Sequence, residues 1–117
     1  MEDLLDQIKN CQLCKSHFIH GVNPVVSGSK NSKILIVGQA PGRIVHETGI
    51  PWNDRSGDTL RKWLDVDRDT FYNTDNFAIM PMGFCFPGSE KTGDLPPRKE
   101  CAPLWHQQIL DKMPKLE

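Results

Sequence analysis

At 117 residues with a formal charge of −1, the chain is at most one domain with a modest core. It lacks the global basic field that coats nucleic acid without specificity, so any nucleic-acid contact must come from local lysines and arginines. The acidic start Met1-Glu2-Asp3 is unlike a secretory signal and no apolar stretch reaches the length of a membrane span, so the expected setting is a reducing cytoplasm with no membrane partner.

Leu4, Leu5 and Ile8 fall at helical spacing within Asp3 to Asn10, predicting a short helix that delivers Cys11 and Cys14 just past its end. Residues 16–32, rich in Gly, Pro, Ser and Asn, read as a surface connection. The aliphatic run Lys33 to Val37 predicts a strand buried on both faces of a parallel sheet, ended by Gly38. Gln39-Ala40-Pro41-Gly42 then opens a polar loop to Asp54 at the strand's carboxyl end, the edge where open α/β sheets bind ligands. Ser56 or Asp58 is the expected cap of a helix with Leu60, Trp63 and Leu64 on one face. Asp67 is the expected cap of a shorter helix bearing Phe71. A second buried strand at Phe77 to Met80 closes a βαβ unit, expected to be right-handed. A last helix, about Glu100 to Met113, packs through Leu104, Trp105, Ile109 and Met113. The expected fold class is therefore α/β, a three-layer α/β/α arrangement around a central parallel sheet. Two strands are too few for it. The reading is of residues 1–117 as the N-terminal portion of one domain, its sheet completed by a missing C-terminal part or by another chain.

The four cysteines carry the clearest chemistry. Cys11 and Cys14 form a CxxC, while Cys85 and Cys101 flank a Gly/Pro-rich stretch from Phe86 to Pro97. In a reducing compartment such a set reads as metal-binding before it reads as disulfides. Four thiolates suit tetrahedral zinc or the corners of a four-iron cluster, and the wide second pair favours iron-sulfur. Four unrelated thiols are the plainer alternative.

The cysteine layout and the loop after the first strand together resemble the uracil-DNA glycosylase superfamily, most closely the family-four type that carries a four-iron four-sulfur cluster. In that type the cluster cysteines run as CxxC, a long gap, then two more widely spaced, as Cys11, Cys14, Cys85 and Cys101 do. Its first motif, Gly-Glu-Ala-Pro-Gly, corresponds to Gly38-Gln39-Ala40-Pro41-Gly42 with glutamine for glutamate, and glutamine there is also similar to the classical uracil glycosylases. Its Gly-x-Pro-Phe segment corresponds to Gly49-Ile50-Pro51-Trp52.

The resemblance implies a DNA-repair enzyme that hydrolyses the N-glycosidic bond of a flipped deaminated base, uracil or related, within DNA. It implies that Gly38, Ala40, Pro41 and Gly42 hold the base, that Trp52 stacks on it, and that Gln39 faces the base or the attacking water. Where the family type has a water-positioning carboxylate this chain has Val45, which leaves its neighbours His46 and Glu47 as the catalytic candidates; histidine changes charge near neutral pH and glutamate can activate water. Where the family type reads uracil with an asparagine, this chain has Pro81. His106 lies in the last helix, away from any counterpart of the family's histidine loop. Arg43, Lys91, Arg98 and Lys99 are the expected phosphate contacts. A catalytically silent member binding nucleic acid or protein through a cluster-ordered or zinc-ordered loop is the alternative.

Overall fold

The computed structural model describes residues 2–12, 21–90, 93–97 and 99–116. Cys14, Lys91 and Arg98, named above as candidate site residues, lie outside the described residues. The chain begins with α1 (Glu2–Lys9), whose Leu4, Leu5 and Ile8 are buried as their spacing requires, with Glu2 and Asp3 at the positive end of the helix dipole and Lys9 at the other. β1 (Ile34–Ile36) pairs in parallel with β2 (Phe77–Ile79), Ile34 facing Phe77 and Ile36 facing Ile79. Between them run α2 (Arg43–Thr48), α3 (Arg55–Leu64) and α4 (Arg68–Tyr72). A small antiparallel hairpin follows, β3 (Ser89–Glu90) with β4 (Gly93–Asp94). The chain ends in a π-helical turn (Ala102–His106) that continues into α5 (Gln107–Asp111), with Pro103 in the first turn, where a missing N–H costs least.

Among the described residues, a large cluster in the core brings Leu4, Leu5 and Ile8 of α1 against Val26, Ala78, Met80, Phe84, Ile109 and Met113, with Cys101 and Trp105 against its rim. Fully burying each such aliphatic side chain stabilises by about 1.5–3 kcal/mol. This cluster joins the two ends of the chain.

Four expectations are corrected. The stretch before β1 is no mere surface connection: Val25 and Val26 are buried, the Val25 N–H donates to the Phe84 carbonyl at 2.7 Å, and Ser27 bridges Ile79 from the side of β2 away from β1. β2 is buried throughout, but β1 is not, because among the described residues no strand pairs with its outer edge; Ile34 is 48% and Val37 50% exposed. The polar loop after Gly42 holds a helix, α2, which stops at Gly49 in the left-handed conformation. Finally, α3 is capped by Asp54 and buries Gly57 and Arg61, leaving Trp63 80% exposed. The cap lies two residues before Ser56 and four before Asp58, and the buried face rotated with it.

Asp67 does cap α4, accepting the Thr70 N–H at 2.8 Å. That backbone hydrogen bond, with Thr70's side chain adding to it, holds the carboxyl below its ordinary value. A depressed folded-state pKa contributes stability that is fully present above the ordinary value and lost as pH falls through the folded one. Asp67→Ala is therefore expected to lower Tm slightly at neutral pH, with the difference from wild type vanishing in strongly acidic buffer. A difference that grows toward low pH contradicts this.

Candidate functional site

β1 and β2 run in parallel, so their carboxyl ends open on the same side, and the chain leaving β1 stays tied to the chain leaving β2. The Met80 N–H donates to the Ile36 carbonyl at 2.9 Å, Met82 to Gly38 at 2.8 Å and Gly83 to Gln39 at 2.8 Å. This rail holds the loop Gly38 to Gly42 over a cavity of about 240 Å³. The loop supplies all five of its residues to the wall, joined by Val45, Pro51, Trp52, Asp54, Asp94 and Pro81 among others.

Trp52 is placed there at a cost. Its φ of 57° is left-handed, which a residue with a Cβ adopts at roughly 1–2 kcal/mol. Three groups enforce it. Gly57 lies so close that a Cβ there would stand 1.7 Å from the Trp52 carbonyl oxygen. Arg61, only 5% exposed, donates from Nη1 to that same oxygen at 3.0 Å and to the Tyr72 hydroxyl at 3.2 Å, and from Nη2 to Asp58 at 2.8 Å. Its guanidinium also stacks 5.1 Å from the centre of the Phe71 ring. The Tyr72 hydroxyl in turn donates to the Pro51 carbonyl at 2.7 Å. On its other side the indole meets Gly38, where a Cβ would lie 3.1 Å from Cζ2. Two glycines and one buried arginine thus hold the Trp52 ring beside the loop.

His46 and Glu47 are not among the residues that line this cavity. Successive helical residues point about 100° apart, and α2 turns Val45 inward. His46 faces Phe86, ring centres 5.7 Å apart, with its carbonyl accepting from Asn23 at 2.6 Å, and Glu47 is exposed. The carboxylates at the wall are Asp54 and Asp94, neither singled out by sequence. Asp54 Oδ1 accepts the Gly57 N–H at 2.9 Å, which leaves Oδ2 as an acceptor. Asp94 Oδ1 accepts from the Ser89 hydroxyl at 2.7 Å, while its Oδ2 is 3.7 Å from where a Cβ on Gly42 would stand. The spacing from Asp54 to Gly57 was the available signal for a cap; nothing local signals Asp94, which the hairpin brings in. Pro81 lines the wall as its position after β2 requires, and its carbonyl is 2.9 Å from His106 Nε2. Arg43 and Lys99 are exposed. Phe86 is buried, so the outward part of the loop between Cys85 and Cys101 begins at Ser89.

Cys11 follows α1, its N–H donating to the Ile8 carbonyl at 2.9 Å; Cys85 is buried against Val22, and half-buried Cys101 packs on the core cluster. The donor chemistry, thiol sulfur from a CxxC and two further cysteines, fits a thiophilic group. Among the described residues no three ligand side chains form a metal-binding group, and Cys14 lies outside them.

The cavity thus has one aromatic wall and lies under a Gly-x-x-Pro-Gly loop at the carboxyl ends of two parallel strands. The family model described as "Uracil DNA glycosylase superfamily" matches residues 25–116, and the chain belongs to that superfamily. It is similar to the "Type-4 uracil-DNA glycosylase" of Thermotoga maritima, 27% identical over 110 residues that make up 93% of this chain and 55% of that one. The chain thus spans about half the length of that relative. No helix among the described residues is long and apolar enough to cross a membrane.

Proposed function

We propose that this chain is a glycosylase domain that hydrolyses the N-glycosidic bond of a flipped deaminated base in DNA. One observation carries the reading: the Gly38 to Gly42 loop and the Trp52 ring line the same cavity. A flipped base would stack on the indole, as bases do on aromatic platforms. As the bond breaks, its electron pair goes to the base, and the Gln39 amide and loop N–H groups stabilise the developing charge. A water held by Asp54 Oδ2 then attacks the sugar carbon and gives up its proton to that carboxylate. Asp54 takes the part that sequence assigned to His46 or Glu47. Arg43 and Lys99, exposed on the flanks, would take phosphates, with Lys91 and Arg98 added from sequence.

Cys11, Cys14, Cys85 and Cys101 would hold a four-iron four-sulfur cluster, which when bound ties the segment after α1 to the start of the last helix; zinc is the alternative. Iron and acid-labile sulfide in about equal amounts after anaerobic purification is the expected result, and zinc alone the contrary one. In the same reading, further strands from elsewhere in the polypeptide or from another chain extend the sheet along the outer edge of β1.

A second reading, a silent member that binds nucleic acid or protein, is favoured by Val45 and Pro81, which line the cavity with no carboxylate and no amide. Incubating the protein that carries this chain with oligonucleotides containing uracil, hypoxanthine or xanthine separates the two. Release of free base supports the glycosylase, and binding without release supports the silent member.

A further inference from the structure

A second cavity, of about 270 Å³, adjoins the first. It shares Gln39, Ala40, Pro41 and Asp94 with it, and its other walls are Pro87, Leu95, Pro96 and Pro97. The partition between the two is therefore the motif loop itself plus one aspartate from the hairpin. We propose that this second cavity seats the nucleotide next to the one held against Trp52, and that it takes any base. The inference rests on the nucleotide-binding reading of the first cavity.

The geometry and chemistry point that way together. Neighbouring nucleotides of one strand are about 3.4 Å apart when stacked and further when splayed, so two adjoining cavities with a single loop between them match consecutive positions of one strand. The walls peculiar to the second cavity are three prolines and a leucine. Proline has no N–H to offer a base edge, and its fixed φ keeps the wall in place before anything binds. Such a surface meets the flat face of a base without reading its edge. Asp94 at the partition disfavours a phosphate there, so the neutral base is the part of the nucleotide that enters. The wall is held from behind: the Leu95 N–H donates to the Gly88 carbonyl at 2.8 Å, and Ser89 holds Asp94.

The test uses deoxyuridine monophosphate, the dinucleotides that add one neighbour on the 5′ or the 3′ side, and the same dinucleotides with an abasic neighbour, titrated by NMR. On one side the neighbour is expected to tighten binding by about tenfold. That gain should be equal for all four bases and absent with the abasic neighbour. Pro96→Asp should abolish the gain and leave the mononucleotide's affinity unchanged; Leu95→Ala, a milder change, should reduce it. Equal binding of mono- and dinucleotides overturns the proposal alone, as does a gain that depends on the base or survives Pro96→Asp. No binding by any probe overturns both this proposal and the reading of the first cavity.

Discussion

Gly57→Ala is expected to destabilise the domain by about 3 kcal/mol, at the upper end for a single added methyl group. The cause is specific: the new Cβ would sit 1.7 Å from the Trp52 oxygen and 2.6 Å from its carbonyl carbon, and backbone cannot give way as a flexible side-chain end can. Either α3 shifts from its Asp54 cap or residues 51 and 52 leave the cavity wall. Arg61→Met approaches the same point from the other side, removing the guanidinium's bonds to Trp52, Tyr72 and Asp58 while keeping most of the buried volume. It is expected to cost about 2–4 kcal/mol, because Trp52 loses a hydrogen-bond donor and the Phe71 ring its cation. Chemical denaturation of both variants checks this. A Gly57→Ala protein as stable as wild type would contradict this account of how α3 holds Trp52.

Substituting Trp52 should separate stability from activity. Loss of the stacking face is expected to lower base excision about tenfold to a hundredfold, corresponding to roughly 1–3 kcal/mol. Trp52→Gly, however, removes the penalty of a side chain at φ 57° and should be more stable than Trp52→Ala by about 1 kcal/mol. An aromatic kept in a conformation that glycine would hold more cheaply is one whose ring has a use at that spot. Glu47→Gln, outside the cavity, should leave excision unchanged. Paired measurements of Tm and of single-turnover excision on the three variants decide the matter; equal excision by Trp52→Ala and wild type removes Trp52 from the base-binding site.

Several features set by short-range pattern were legible in the sequence, though the α2 helix and the Asp54 cap, both local, were missed. The spacing of Leu4, Leu5 and Ile8, the aliphatic runs of the two strands, Asp67 as a cap and the motif loop at a strand's carboxyl end all read correctly, since each is set by neighbours within a turn or a strand. What long-range contact decides stayed hidden. Arg61 drew no reading from the sequence, because its burial depends on Phe71, Tyr72 and Trp52 closing around it, and Trp63 looked like core until the cap at Asp54 rotated α3. Asp94 reaches the cavity because a hairpin folds back, and no local signal records that. His46 and Glu47 were favoured because they neighbour Val45 in the chain, yet on a helix neighbours in sequence face different ways. β1 looked doubly buried because its composition is that of an inner strand, and its outer edge remains open among the described residues.

The most direct test of the central claim is a two-dimensional NMR titration of the isotopically labelled chain with free uracil, the product of the proposed reaction, which reports binding whether or not excision occurs. The account predicts saturable shifts at the amides of Gly38, Gln39, Ala40 and Gly42 and at the Trp52 indole N–H, all lost in Trp52→Ala. Shifts centred elsewhere, or none at saturating uracil, would contradict the assignment of this cavity as the base-binding site.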